Sequence, residues 1–137
     1  MSWDVMIFNF NGPMPSEEVL NTKGYRPPPL GEVQIVREKL SSSIPGIDWA
    51  DPGWGVLRGD GFLMDFNFQK DGMVESFMLH IYGSGNPLPI IHKICSDHDW
   101  FAFDTSSGWL DREDPSDEGW QAFQKFRDDL KEHYKND

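Results

Sequence analysis

Two runs of alternating residues constrain this chain more than any other feature. Phe62, Met64, Phe66 and Phe68 share one parity, while Leu63, Asp65 and Asn67 fill the other. After Lys70-Asp71-Gly72 the stretch Val74–Tyr82 alternates again, with Phe77, Leu79 and Ile81 on one side and Ser76, Met78, His80 and Tyr82 on the other. Side chains of a strand point to its two faces in turn, so a period of two predicts a pair of half-buried strands. Lys70-Asp71-Gly72 reads as the turn that joins them into a hairpin. An isolated hairpin is at best marginally stable in water, so the remaining chain must add strands and cover the apolar face.

The flanking sequence supplies both. Trp3–Phe10 is rich in Val, Ile and Phe and predicts a strand, closed by Asn11-Gly12-Pro13. A surface connection follows, with a short helical turn at Ser16–Leu20 and an extended Pro27-Pro28-Pro29, since each proline pushes its predecessor out of the α region. Gly31–Ser43 carries Val33, Val36 and Leu40 at helical spacing, and Ile44-Pro45-Gly46 ends that helix. Asp48–Gly55 reads as a turn-rich loop and Gly55–Arg58 as a short strand. Asn86 and Pro87 suit the start of a second helix, lined by Ile91, Ile94, Cys95 and His98. Trp100–Thr105 predicts a strand, with a turn at Ser106-Ser107-Gly108 and a short return at Trp109–Leu110. Asp114-Pro115 opens a last helix with Asp114 as cap, and its buried stripe runs through Trp120, Phe123, Phe126 or Arg127, Leu130 and Tyr134. Helices interleaved with strands and a central hairpin define a single α+β domain over residues 1–137. An antiparallel or mixed sheet with helices on one face is expected, in an order compatible with a ferredoxin-like arrangement. The opposite face is expected to be partly open.

Composition sets the function classes. Aromatic residues make up 14% of the chain, enough large rings to build a core without disulfides, and the one cysteine, Cys95, excludes an intrachain disulfide and a cysteine-cluster zinc site. No apolar run reaches the ~18 residues of a membrane span. The start Met1-Ser2-Trp3-Asp4 has no basic region of a secretory signal, so a cytoplasmic location is expected. With 23 acids against 12 Lys and Arg, the net charge is −11. Phosphates need basic patches, so direct nucleic-acid binding is disfavoured, as is an anionic membrane. A basic protein partner is favoured, because complementary fields speed encounter.

Few constellations carry chemistry. Asp65 and His80 fall on the non-core parity of adjacent strands, though counting back from the turn does not set them directly opposite. With Tyr82 they would line a pocket on the open face, where an Asp–His contact could orient a general base. No nucleophile elbow accompanies them. His80, His92, His98 and His133 do not take a metal-ligand spacing, and Asp111-Arg112-Glu113-Asp114 lacks the glycine of a calcium loop. Gly83-Ser84-Gly85-Asn86 is a turn and cap rather than a phosphate loop. Neither a cofactor nor a metal is called for. Two regions fit a basic partner better: Asp48, Trp49, Asp51 and Trp54, where tryptophans stand beside carboxylates, and the acids Asp111, Glu113, Asp114 and Glu118 ahead of the last helix.

The segments Glu75–Pro89 and Asp48–Gly55 resemble those of small acidic bacterial cytosolic proteins of the type that neutralise polymorphic toxins, a likeness extending over roughly residues 45–120. The resemblance implies an immunity protein that occludes a basic toxin domain, and no catalytic residue. The alternative is a small hydrolase or ligand-binding domain built on Asp65 and His80.

Overall fold

A computed structural model describes residues 1–112 and 117–135. Its elements are β1 (Trp3–Asn9), α1 (Glu17–Leu20), β2 (Gly31–Glu32), α2 (Val33–Ser43), β3 (Asp48–Asp51), β4 (Trp54–Arg58), β5 (Phe62–Asn67), β6 (Met73–Val74), β7 (Phe77–Gly83), α3 (Leu88–His98), β8 (Trp100–Asp104), β9 (Gly108–Trp109) and α4 (Glu118–Lys135). Seven strands form one sheet in the order β3-β4-β5-β7-β1-β8-β9, and every pairing in it is antiparallel. The chain is therefore α+β, as the alternation of elements predicts.

The sheet order follows from the two crossovers. The connection from β1 through α2 comes back on the far side of β7, and the connection from β7 through α3 comes back on the far side of β1. Each helix thus spans one intervening strand, the split β-α-β pattern of ferredoxin-like folds, over the central order β5-β7-β1-β8. The β3–β4 hairpin extends one edge and β9 the other.

One face of the sheet holds the core. Trp3, Val5 and Ile7 of β1, Met64 and Phe66 of β5, Phe77, Leu79 and Ile81 of β7, and Trp100 and Ala102 of β8 are buried there. Val36 and Leu40 of α2, Ile91 and Ile94 of α3 and Trp120 of α4 join the same cluster, so these three helices cover this face. Phe62, Phe68 and Phe123 are partly buried against it. Trp120 lies 5.2 Å from Trp3, ring to ring, and its indole N–H donates to Gly85 O. Phe126 is exposed, whereas Arg127 is half-buried and donates to Gly83 O, so the stripe of α4 passes through the arginine. The sequence-predicted cap Asp114 and the side chain of Tyr134 lie outside the described residues. The N-cap of α3 is Pro87 rather than the expected Asn86, which stands one residue earlier and accepts the N–H of Leu88 on its side-chain oxygen at 3.3 Å.

Five local expectations are corrected. Asp48–Gly55 is not a loop; β3 and β4 pair through it, with an irregularity between Trp49 and Asp51. Lys70-Asp71-Gly72 is not a tight hairpin turn, and the strand expected over Val74–Tyr82 is broken at Glu75-Ser76. The cause is competition for the backbone. Leu30 N–H donates to Val74 O and Val33 N–H to Gly72 O, so residues 72–74 pair with the segment ahead of α2 instead of with β5. That pairing also takes Gly31 and Glu32 out of the helix expected from residue 31 and into β2. Asp65 and His80 stand directly opposite in the β5–β7 register. A count from a three-residue turn missed this because the true connection is longer.

Candidate functional site

The second face of the sheet is the candidate site. None of the core residues of α2, α3 or α4 packs on it, and its side chains come from the alternate parity of each strand. Register aligns them in rows. Asp48, Val56, Asp65, His80 and Asp4 are successive partners from β3 to β1. At about 4.8 Å between strands, that row spans about 19 Å. The neighbouring row runs Trp54, Asn67, Met78, Met6, Phe103 and Trp109, and on the other side lie Arg58, Leu63 and Tyr82. Three carboxylates therefore stand in a line beside a line of apolar and aromatic side chains.

His80 stands between Asp65 and Asp4 in the acidic row. Its Nδ1 lies 2.7 Å from Asp4 Oδ1, while Ser2 donates its hydroxyl to the same carboxylate oxygen at 2.5 Å. Ser2 Oγ is 3.5 Å from that same Nδ1. A Ser-His-Asp relay needs the acid on one ring nitrogen and the nucleophile on the other. Here both meet Nδ1, so these side chains do not form a relay. The carboxylate that holds His80 is that of Asp4, not Asp65. Asp65 is half-buried with no hydrogen bond or ion pair among the described residues, and Asp48 is exposed. Tyr82 is half-buried on the same face, opposite Leu63. No group of three or more metal-ligating side chains is drawn together among the described residues.

The two candidate sets of the sequence are thus partly merged. Asp48 and Trp54 share the open face with Asp65, His80 and Tyr82, and Trp54 is 45% exposed. Trp49 faces the other way. It packs 5.7 Å from Phe68 and 6.2 Å from Phe66, ring to ring, under the guanidinium of Arg37, and its indole N–H donates to Ser41. It packs partly buried against the core. Asp51 is engaged within the chain: it accepts the N–H of Gly53 at 2.9 Å and faces Lys70 at 3.5 Å, and the Gly53 bond leads in holding its carboxyl below the ordinary range. The second acidic region is separate. Asp111 follows β9, at the sheet edge opposite β3, and Glu118 opens α4. Both are exposed; Glu113 and Asp114 lie outside the described residues.

Asp4, Ser2 and Met6 were missed by sequence reasoning. A signal for Asp4 was present: it is the one charged residue in the largely apolar stretch Trp3–Phe10. An acid on the non-core parity of a central strand marks a face left in contact with water.

Cys95 is 2% exposed on the core side of α3, and burial pushes its thiol up to about 12. It is no nucleophile at neutral pH, because the thiolate is the reactive form.

The far end of the face is aromatic. Phe8, Phe10, Phe101, Phe103 and Trp109 form a satellite cluster apart from the main core, with Trp109 4.9 Å from Phe103, 5.5 Å from Phe8 and 5.7 Å from Phe10. The segment from Met14 to Pro27, with α1, lies over this end. Asn9 ties the segment down by donating to Pro29 O at 2.9 Å.

No family model, curated protein or solved structure matches the chain. No helix among the described residues is long and apolar enough to cross a membrane.

Proposed function

We propose that this chain is a cytoplasmic binding module that covers a basic protein partner through its open sheet face, in the manner of an immunity protein that occludes a toxin domain. The observation that carries the reading is the row Asp48, Asp65, Asp4 laid beside Trp54, Met78 and Met6. Carboxylates in line attract and orient a cationic surface, and the adjoining apolar side chains give area to bury once water is expelled. The net charge of −11 extends that attraction beyond the contact. Asp65 supports the same reading, since a half-buried carboxylate without a partner among the described residues gains most from a cation brought to it. Trp54 fits the role of an aromatic anchor at one end of the row. The hydrolase alternative draws less support, because Ser2 and Asp4 converge on one nitrogen of His80 and Cys95 is buried.

Affinity capture from the native host tests this. Wild type is expected to retain a protein of basic isoelectric point, and Asp48→Asn/Asp65→Asn is expected to lose it. Retention of the same partner by the double variant, or capture of an acidic partner only, would remove the electrostatic argument.

A further inference from the structure

We infer that the groove between α1 and the aromatic end of the sheet is the seat for an arginine side chain of that protein partner, an inference that rests on the basic-partner reading above. The groove encloses about 530 Å³ and is lined chiefly by Phe8, Phe103, Trp109, Tyr25 and Leu20, with Glu17 as its one charged lining residue. Its size is that of a site for a side chain or small ligand. Several rings and a single carboxylate select for a group that is flat, apolar on its faces and positively charged. A guanidinium has those properties: it stacks on aromatic faces, is weakly hydrated, and reaches a carboxylate with paired N–H donors. A lysine ammonium is a strongly hydrated point charge and gives up more on entering such a groove.

The chain itself shows the pairing on a neighbouring ring of the same aromatic cluster. Arg112 places its guanidinium carbon 4.1 Å from the ring centre of Phe101 and donates to Asp99 Oδ1 at 2.6 Å. Phe101 is continuous with the groove through Phe10, which is 5.4 Å from Phe101 and 5.7 Å from Trp109. One guanidinium is therefore held between a ring and a carboxylate at one end of the cluster. Trp109 and Glu17 offer a ring and a carboxylate in the adjoining groove, which no cation among the described residues lines. Trp109 is 36% exposed and Glu17 is exposed, so both can be reached. The groove adjoins the acidic face through Met6 and Phe103, which are register partners, so one partner can span both.

Calorimetry with short peptides of alternating glycine and arginine, and matched peptides carrying lysine or citrulline, tests the assignment. The arginine peptide is expected to bind about 3- to 30-fold more tightly than the neutral citrulline peptide, the range set by a cation over an aromatic face, and more tightly than the lysine peptide as well. Trp109→Ala is expected to abolish that preference and Trp109→Phe to keep part of it. Glu17→Gln, on the exposed side of a four-residue helix, is expected to reduce it without touching the fold. The indole N–H resonance missing from Trp109→Phe should shift when the arginine peptide is added to wild type. Equal binding of arginine and lysine peptides, a preference that survives both Trp109→Ala and Glu17→Gln, or citrulline binding as well as arginine would overturn the inference. The first two outcomes leave the acidic-face reading standing. That reading falls separately, if Asp48→Asn/Asp65→Asn still captures the host partner.

Discussion

Asp104 shows how a single side chain can fix the turn that follows it. It has no exposed surface, yet its carboxylate accepts the N–H and hydroxyl of Ser106 at 2.9 and 2.8 Å and the hydroxyl of Ser107 at 2.6 Å. Burial works to raise its pKa, but the bonds from Ser107 and Ser106 together prevail and hold the carboxyl below its ordinary value of 3.8. An acid with a depressed folded pKa contributes stability above its unfolded value, and that contribution is lost as pH falls through the folded one. Denaturant midpoints of wild type should therefore exceed those of Asp104→Asn at neutral pH, and the gap should close below about pH 4. A gap that stayed constant into acid would show that the charge is not what matters. Cys95 gives a second test at this scale. With its thiol raised to about 12 by burial, native protein should react with a thiol reagent only as fast as it unfolds. Rapid labelling of the folded chain would return Cys95 to the list of nucleophiles.

At the scale of the element, burial and close approach decide which substitutions matter. Phe66 of β5 is fully buried between the sheet and its helices, and Phe66→Ala should cost about 3–5 kcal/mol in a denaturant melt. A loss below about 1 kcal/mol would mean that β5 does not face the core with that parity. Gly119 in the first turn of α4 sits against Asp104, and a Cβ there would run into the Asp104 carboxylate and the Ser107 hydroxyl. Gly119→Ala should therefore loosen α4 at its start and expose Trp120, read as a red shift in tryptophan emission, although alanine is the better helix former. Unchanged emission and stability would show that the helix has room to move. The strands and helices with strong periodicity were legible in the sequence: β1, β5, α2 and α3 fall where their patterns put them, and the Phe77/Leu79/Ile81 parity of β7 is the buried one. Short pairings were not. The β3–β4 hairpin hides among Trp, Pro and Gly residues that read as a loop, and residues 72–74 pair with residues 30–33 through backbone atoms that no side-chain pattern reports. The Asp65–His80 register was lost to that one hidden pairing. Asp4 needed the sheet order, because only the insertion of β1 beside β7 brings its carboxylate to His80.

For the whole molecule, the sheet sorts charge from packing. The three longer helices bring their apolar stripes to one face, while the other keeps the acids of β1, β3 and β5 in one row. Asp111, which follows β9, lies at the opposite edge from β3, so on the proposed reading it would steer a partner from a distance rather than share its contact with Asp48. Long-range charge acts mainly on association, and salt screens it over a Debye length of about 8 Å at physiological ionic strength. Aromatic anchors act on dissociation, so Trp54→Ala should raise the off-rate about tenfold and leave the on-rate nearly unchanged. An off-rate that did not move would place Trp54 outside the contact.

Stopped-flow association with the captured partner, followed across ionic strength, addresses the acidic face most directly. For wild type the on-rate should fall steeply as salt rises from about 0.01 M to about 0.15 M. Asp48→Asn/Asp65→Asn should start slower and show a flatter dependence, with unfolding midpoints unchanged because neither carboxylate bonds another side chain or backbone group among the described residues. An on-rate indifferent both to salt and to the two substitutions would contradict the claim that this face recruits a basic partner by its charge.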